Sequence, residues 1–113
     1  MKRTVLALLG VVAASLCANA DELTFDLKLT QGQLPENARL MRVHQGDAVK
    51  LRWTTDRPLI LHLHGYDIEK RVAPGPPIEM NFTARATGRF PVHAHVAGGA
   101  HDEALAVIEV YPQ

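Results

Sequence analysis

Histidine is the residue type in this sequence whose spacing could support chemistry. The chain contains six histidines, and only His44 stands apart from the others. An imidazole can bind a metal ion, transfer a proton, or hydrogen-bond within a fold. The remaining five fall into two groups, one formed by His62 and His64 and the other by His93, His95 and His101.

The first group lies in the stretch LILHLHGYD, Leu59–Asp67. Alternation along a strand predicts that the leucines share one face and that both histidines share the other, with Cβ atoms about 6–7 Å apart. At that separation both imidazoles can bind one metal ion, or one can bind while the other supports it. The same pattern also suits the solvated face of an edge strand, so the pair alone leaves both interpretations open.

The second group repeats this geometry in RFPVHAHV, where His93 and His95 alternate with apolar residues. His101 follows six residues after His95, beyond the Gly-rich segment 97–100, which would let it fold back toward the strand end. Histidines that arrive from two strands and a loop predict a nitrogen-rich metal site. Copper(II) would be bound most tightly among the common divalent ions.

The first twenty residues have the pattern of a secretory signal peptide. A basic start is followed by the apolar run Val5–Ala14 and by Ala18-Asn19-Ala20, a small-x-small cleavage pattern. We therefore predict cleavage after Ala20, a signal peptide at 1–20, one domain at 21–113, and a periplasmic or secreted protein with no membrane attachment. The run is too short for a membrane span, and the bulky Leu16 disfavours a lipid anchor on Cys17.

Cleavage would remove the only cysteine, Cys17, and the only serine, Ser15. Residues 21–113 would then offer no thiolate ligand, no disulfide, and neither a serine nor a cysteine nucleophile. Their 10 basic and 12 acidic side chains, counted after removal of Lys2 and Arg3, give no basic field for nucleic acid. These counts exclude several enzyme classes and leave the histidines as the main chemical resource.

The elements that would position the histidines are short strands. Apolar residues alternate with polar ones in about seven segments spaced roughly 8–12 residues apart, with turn residues between them. No window shows a sustained helical stripe. About 93 residues suffice for one domain with one core, and the pattern predicts an all-β sandwich.

Four segments resemble the cupredoxin family. They are the entry to a strand at Val43–Val49, the step His64-Gly65-Tyr66, the segment Thr87–Val92, and the final strand Ala104–Val110. The resemblance covers nearly all of residues 21–113 and is nearest to small exported bacterial cupredoxin-like proteins. It implies a Greek-key β-sandwich that holds copper. By this resemblance His64 and His101 match ligand places, His95 is a near match, and His62 and His93 have no clear counterpart.

The sequence departs from the blue-copper members of that family at two ligand places. Their cysteine falls at Ala94, or at His93 if the register slips by one, and their methionine falls near Ala104. The thiolate that produces a blue site and supports fast electron transfer is therefore missing. We conclude that the chain is not a blue-copper protein.

These observations lead to a ranked set of functions. We expect a periplasmic copper-binding protein, not an enzyme, that stores copper, confers tolerance to it or delivers it. The metal would be copper(I) or copper(II), with zinc as the alternative. His64, His95 and His101 would bind the ion, and His62 or His93 would complete or support the site. We expect a monomer that binds the metal ion and interacts with a copper-transfer partner protein.

Other functions fit the same sequence. In one, the chain is a metal-free scaffold that serves as an interaction or accessory domain, with His64 hydrogen-bonded to the backbone. Electron transfer ranks lower because the thiolate is missing. A small copper oxidoreductase ranks lower because the sequence shows no substrate pocket, and the carboxylates near the histidines (Asp67, Glu69 and Asp102) are better explained as solvated loop charges.

Overall fold

The computed structural model describes residues 20–95 and 103–113, and within them the chain forms eight β-strands and one short 3₁₀ turn at Glu36–Ala38. The strands are β1 (Glu22–Leu29), β2 (Leu40–His44), β3 (Ala48–Thr55), β4 (Leu59–Leu63), β5 (Ile68–Val72), β6 (Ile78–Thr83), β7 (Gly88–His95) and β8 (Glu103–Tyr111). The segments at 1–19 and 96–102, which include His101 and nearly all of the predicted signal peptide, lie outside the described residues.

The strands form two sheets. One has three strands in the order β1-β3-β6, and the other has five in the order β2-β8-β7-β4-β5. Two of the pairings, β1 with β3 and β2 with β8, are parallel, and the other pairings are antiparallel. This arrangement confirms the prediction of an all-β sandwich.

The core lies between the two sheets and follows from the period-two pattern. Leu51, Trp53 and Met80 fill it from the three-stranded sheet, and Leu61 and Leu63 are among the residues that fill it from the five-stranded sheet. All five are fully buried. Because these residues alternate with polar ones, each strand places its other set of side chains on the outer face of its sheet.

The structure has one strand more than the alternation pattern predicted. The additional strand is β5, whose sequence Ile68-Glu69-Lys70-Arg71-Val72 carries three consecutive charged residues. All three are exposed because β5 is the edge of the five-stranded sheet and pairs only with β4. Charge on an edge strand discourages pairing with other molecules, and it also hides the apolar alternation that identifies a strand.

In the described part of the chain, we find no helix long and apolar enough to cross a membrane.

Candidate metal centre

Strand β4 places its two histidines on the outer face of the five-stranded sheet. Leu59, Leu61 and Leu63 are buried in the core, whereas His62, within the strand, and His64, directly after it, are partly exposed. The shared face predicted from LILHLH is therefore present in the fold. The core residues anchor the strand, and its opposite side is left available for polar side chains.

Strand β7 brings a third histidine alongside this pair. β4 and β7 are antiparallel neighbours, and His62 lies directly opposite His93. The pairing continues one residue past β4, because the backbone N–H of His64 donates to the carbonyl oxygen of Pro91 at 3.0 Å. The chain therefore holds the backbone of His64 beside β7, next to the His62–His93 pair.

The three imidazoles form one continuous group, which we call the imidazole cluster (His62, His64 and His93). The ring centroid of His64 lies 4.4 Å from that of His62 and 4.4 Å from that of His93. The ring planes in these two pairs are inclined by 57° and 60°. His64 is thus the central member, in contact with the ring of His62 from β4 and the ring of His93 from β7.

A tight turn after β4 fixes the position of His64. Gly65 has φ of +90° and Asp67 has φ of +57°, both in the left-handed region. A Cβ atom on Gly65 would lie 2.5 Å from Cδ1 of Phe90, so the backbone passes against that ring. The turn also brings Oδ1 of Asp67 to 4.0 Å from Nε2 of His62, within range of an ion pair if the imidazole is protonated.

A β-bulge lies beside His93. Val92 pairs with Ala106 of β8 but His93 pairs with Ala104, so Leu105 has no partner residue on β7. A bulge bends the strand and changes the direction in which neighbouring side chains point. Here it occurs at the residue through which β7 joins the imidazole cluster.

The ring of His64 has a buried nitrogen without a hydrogen bond. Nε2 of His64 is inaccessible to solvent and has no hydrogen-bond partner in the described part of the chain. A buried polar atom normally has a partner, and leaving it without one costs about 1–3 kcal/mol. The scaffold interpretation expected this histidine to be hydrogen-bonded to the backbone; among the described residues its main-chain N–H has such a bond, and Nε2 of its ring does not.

Two further histidines of the described part of the chain, His95 and His44, lie outside the imidazole cluster. His95 follows His93 by two residues on β7 and pairs with Ile60, so it lies one step farther along the sheet than the cluster. The register places His64 beside Pro91, four residues from His95 along β7. His44 is at the end of β2, exposed, with its ring 6.3 Å from that of Tyr111. The predicted metal site formed by His64, His95 and His101 includes a residue, His101, that lies outside the described ranges.

Sequence reasoning placed His64, His95 and His101 first and treated His62 and His93 as supporting residues. The structure brings His62 and His93 together with His64, whereas His101 lies outside the described residues, so the predicted set with His95 and His101 stays a prediction. The missing information was the antiparallel pairing of β4 with β7, which places one His-x-His pattern beside the other. Each pattern was visible in the sequence, but their register was not.

The position where the blue-copper cysteine would fall belongs to the opposite face of the sheet. Ala94 is buried in the core between His93 and His95, which lie on the outer face. Even a thiol at that position would point away from the imidazole cluster. If the cysteine position corresponds to Ala94, it is therefore separate from the imidazole cluster; the alternative register places it at His93, within the cluster.

The imidazole cluster partly fits a metal ion. Two imidazoles that bind one ion at a right angle have ring centroids about 4.5 Å apart, because each metal–nitrogen bond is about 2.0 Å long. The two 4.4 Å spacings match that distance. However, across residues 20–95 and 103–113, no three histidine, cysteine, aspartate or glutamate side chains are already arranged to hold an ion. Binding would therefore require movement of the imidazole rings.

Beyond the cluster, the same outer face carries a charged group centred on Glu109 of β8. Its carboxylate accepts hydrogen bonds from Tyr111 and Arg42 and contacts Arg89. The hydrogen bond from Tyr111, with the two arginines, lowers the pKa of Glu109, and the same bond raises the pKa of Tyr111. These ion pairs join β2, β8 and β7 across the sheet.

Comparison with known proteins finds similarity in structure only. No protein-family model matches this chain, and no curated protein sequence matches it. Among solved structures, a copper-containing nitrite reductase from Thermus scotoductus matches with a TM-score of 0.60 and 25% identity over 81% of this chain and 28% of its own. The multicopper oxidase mgLAC matches with a TM-score of 0.61 and 20% identity over 83% of this chain and 40% of its own.

A structure of a heme-copper terminal oxidase dimer also matches, with a TM-score of 0.64 and 19% identity, over 94% of this chain and 76% of the matched chain. The chain thus spans less than half the length of the matched nitrite reductase and multicopper oxidase. Because such copper enzymes contain cupredoxin-like domains, the likeness shows that this chain has a cupredoxin-like β-sandwich fold.

Proposed function

We propose that this chain is an exported copper-binding protein that holds its ion at the imidazole cluster and is not itself an enzyme. Its role would be to store copper, to confer tolerance to it, or to deliver it to a partner protein. The chain would be cut after Ala20 and act in the periplasm or outside the cell as a monomer.

The observation that carries this proposal is the central position of His64. Its Nε2 is buried without a hydrogen bond in the described part of the chain, while its ring lies 4.4 Å from the rings of His62 and His93. A metal ion would satisfy that nitrogen and recruit the neighbouring imidazoles. Three nitrogen donors and no thiolate favour copper(II), which is the most tightly bound of the common divalent ions.

The fourth position of such a site needs another donor. His95 on the same face of β7 and His101 beyond it are the candidates, and the carboxylate of Asp67 is a third because it lies beside His62. A copper(II) ion prefers a tetragonal arrangement of nitrogen and oxygen ligands. In this proposal His62 and His93 are direct ligands together with His64, and His95 or His101 completes the set.

Storage or delivery fits the placement of the cluster better than catalysis or electron transfer does. The cluster lies on the outer face of a sheet, and the side chain of His62 is 30% exposed, so a partner protein can approach the ion. A rapid electron-transfer site normally uses the thiolate, and neither position at which that cysteine would fall, Ala94 or His93, holds one. Copper would be released as falling pH protonates its imidazole ligands.

A metal-free scaffold is the second candidate, and one observation favours it. Within the described ranges no set of three ligand side chains is already arranged for an ion. In that case the imidazole cluster would be a polar patch on the sheet, and the chain would act as an accessory domain through its surface. The two candidates differ in whether His64 controls copper affinity.

The test is a copper(II) titration of the exported, processed protein and of single alanine variants. Trp53 is the only tryptophan of the chain and is fully buried, so quenching of its fluorescence can report binding. We expect His64→Ala to weaken binding at least about 100-fold, and His62→Ala or His93→Ala at least about 10-fold. Parallel titrations of His95→Ala and His101→Ala identify the fourth ligand.

His44→Ala is the matched control, because His44 is an exposed histidine at the end of β2, away from the cluster. It should bind copper as the unchanged protein does. If His64→Ala and His44→Ala bind copper with the same affinity, the proposal of a copper site at the cluster is wrong and the scaffold function is favoured. A competing titration with zinc(II) decides between the two metals.

A further inference from the structure

We propose that Asp47 is the binding site for the amino group that is created when the chain is cut between Ala20 and Asp21. The inference rests on the processing step proposed above and is independent of copper. Hydrolysis of this peptide bond consumes one water molecule and leaves a carboxylate on Ala20 and an ammonium group on Asp21. The buried carboxylate of Asp47 would pair with that ammonium group.

Asp47 is the one buried charged side chain in the described part of the chain. It lies in the turn between β2 and β3 and is 2% exposed. Both of its carboxylate oxygens accept backbone hydrogen bonds, Oδ2 from the N–H of His44 at 2.8 Å and Oδ1 from the N–H of Asp21 at 3.0 Å. The carboxylate therefore already contacts the atom that would become the new terminus.

The carboxylate of Asp47 lacks a cationic partner. In the ranges 20–95 and 103–113, no lysine, arginine or histidine side chain forms an ion pair with it; the ion pairs of this region involve other acids. A buried carboxylate is costly unless a positive charge or several hydrogen bonds compensate it. An ammonium group at Asp21 would supply the missing charge without any movement of the backbone.

The backbone at Asp21 is held on both sides of its α-carbon. Its carbonyl oxygen accepts the N–H of Ala48 at 2.9 Å, and β1 begins at the next residue, where Glu22 pairs with Ala48. These contacts hold the backbone nitrogen of Asp21 against the carboxylate of Asp47, next to β1 at the edge of the three-stranded sheet. After cleavage the same contact would be a charge-assisted hydrogen bond, which is about twice as strong as a neutral one.

Two consequences follow. A peptidase binds its substrate in an extended form, and here both backbone polar groups of Asp21 are engaged in the fold. Cleavage would therefore precede the docking of β1 on β3. The processed chain would also be more stable than any chain in which Asp21 is preceded by another residue, so removal of the signal peptide would itself favour the folded state.

The test compares chains that differ only at this terminus. The full chain is expressed for export, and the mass of the purified product shows where it has been cut. A second chain carries one glycine inserted between Ala20 and Asp21, which keeps the N–H of Asp21 but moves the ammonium group one residue away. We expect the chain that begins at Asp21 to melt about 4–8 °C above the glycine-extended chain.

Asp47→Asn provides the matched control. It removes the charge and keeps one side-chain oxygen, which can still accept from the N–H of Asp21, while the amide nitrogen cannot accept from the N–H of His44. Both chains of the pair carry that loss, so the glycine insertion should then change the melting temperature by about 1 °C or less. Equal melting temperatures of the two chains that contain Asp47 would overturn the proposal. The proposal would also be overturned if the glycine insertion lowered the melting temperature by the same amount in the Asp47→Asn variant as in the chain with Asp47.

A second measurement covers the case in which Asp47→Asn does not fold. A paired ammonium group has a raised pKa, so at pH 7 the amine of Asp21 should be acylated at least about 10-fold more slowly than that of the glycine-extended chain. Equal rates would overturn the proposal. If mass analysis finds that the chain is cut at a different bond, the proposed processing step is wrong. The Asp47 site is then tested directly with a fusion protein, from which a protease releases a chain whose first residue is Asp21.

Discussion

At the scale of single residues, the imidazole cluster depends on how the chain leaves β4. His64 is placed between His62 and His93 because its N–H bonds to Pro91 and the chain turns immediately afterward at Gly65. Positive φ at Gly65 and its contact with the ring of Phe90 mean that a larger residue cannot be accommodated there without movement. The glycine is therefore part of what positions the candidate ligand.

Replacing Gly65 with alanine should destabilise the fold and weaken copper binding together. The new Cβ would meet the Phe90 ring at 2.5 Å, and alanine also disfavours φ of +90°. We expect a loss of about 2–4 kcal/mol in the free energy of unfolding, measured by urea denaturation.

Gly32→Ala is the matched control, because Gly32 has a similar φ of +78° but a Cβ added there would meet nothing within 4 Å. Its cost should be about 1–2 kcal/mol, from the backbone conformation alone. A loss at Gly65 no larger than that at Gly32 would show that the Phe90 contact does not constrain the turn.

Glu109 makes a pH-dependent contribution on the same face. Because Tyr111, Arg42 and Arg89 lower its pKa in the folded protein, its ionised form favours the folded state above the usual carboxyl pKa, and this contribution is lost as pH falls through the lowered value. Glu109→Gln should therefore lower the melting temperature by a few degrees at pH 7 and leave it unchanged near pH 2. An equal difference at both pH values would contradict this assignment. Glu79→Gln, at an exposed ion pair on the other sheet, is the comparison variant.

At the scale of elements, the sequence predicted most strands but not how they pair. Alternation located β4 and β7 and assigned His62 and His93 to the polar face of each strand. It could not show that these two residues lie opposite each other, because register depends on contacts between distant segments and on the bulge at His93. It also missed β5, whose charges conceal a strand that is exposed on an edge.

The charges of β5 should prevent pairing between molecules. Lys70 lies opposite Leu61, whose side chain is in the core, yet Lys70 is exposed at the sheet edge. A lysine that points to the apolar side of an edge strand opposes the addition of another strand. We expect Lys70→Leu to promote concentration-dependent dimers, detectable by sedimentation velocity.

The control for this prediction is Lys50→Leu, which removes a lysine from β3, a strand with neighbours on both sides. That variant should remain at the oligomeric state of the unchanged protein. If Lys70→Leu also remains at that state at high concentration, the β5 edge is protected by something other than this charge.

At the scale of the whole molecule, one sandwich provides two faces with different properties. The inner faces supply an apolar core that includes Ala94, and the outer face of the five-stranded sheet carries the imidazole cluster. The cupredoxin-like fold was predictable because its strands and turns are regular. Which histidines lie together was less predictable, because the blue-copper pattern includes the position of Ala94, which faces the core, whereas His64 lies on the outer face.

The most direct test of the copper site is electron paramagnetic resonance of the processed protein loaded with one equivalent of copper(II). We predict a tetragonal spectrum with nitrogen hyperfine structure that changes when histidine is labelled with ¹⁵N, and its loss in His64→Ala but not in His44→Ala. A spectrum that is the same in His64→Ala as in the unchanged protein would contradict a copper site at the imidazole cluster.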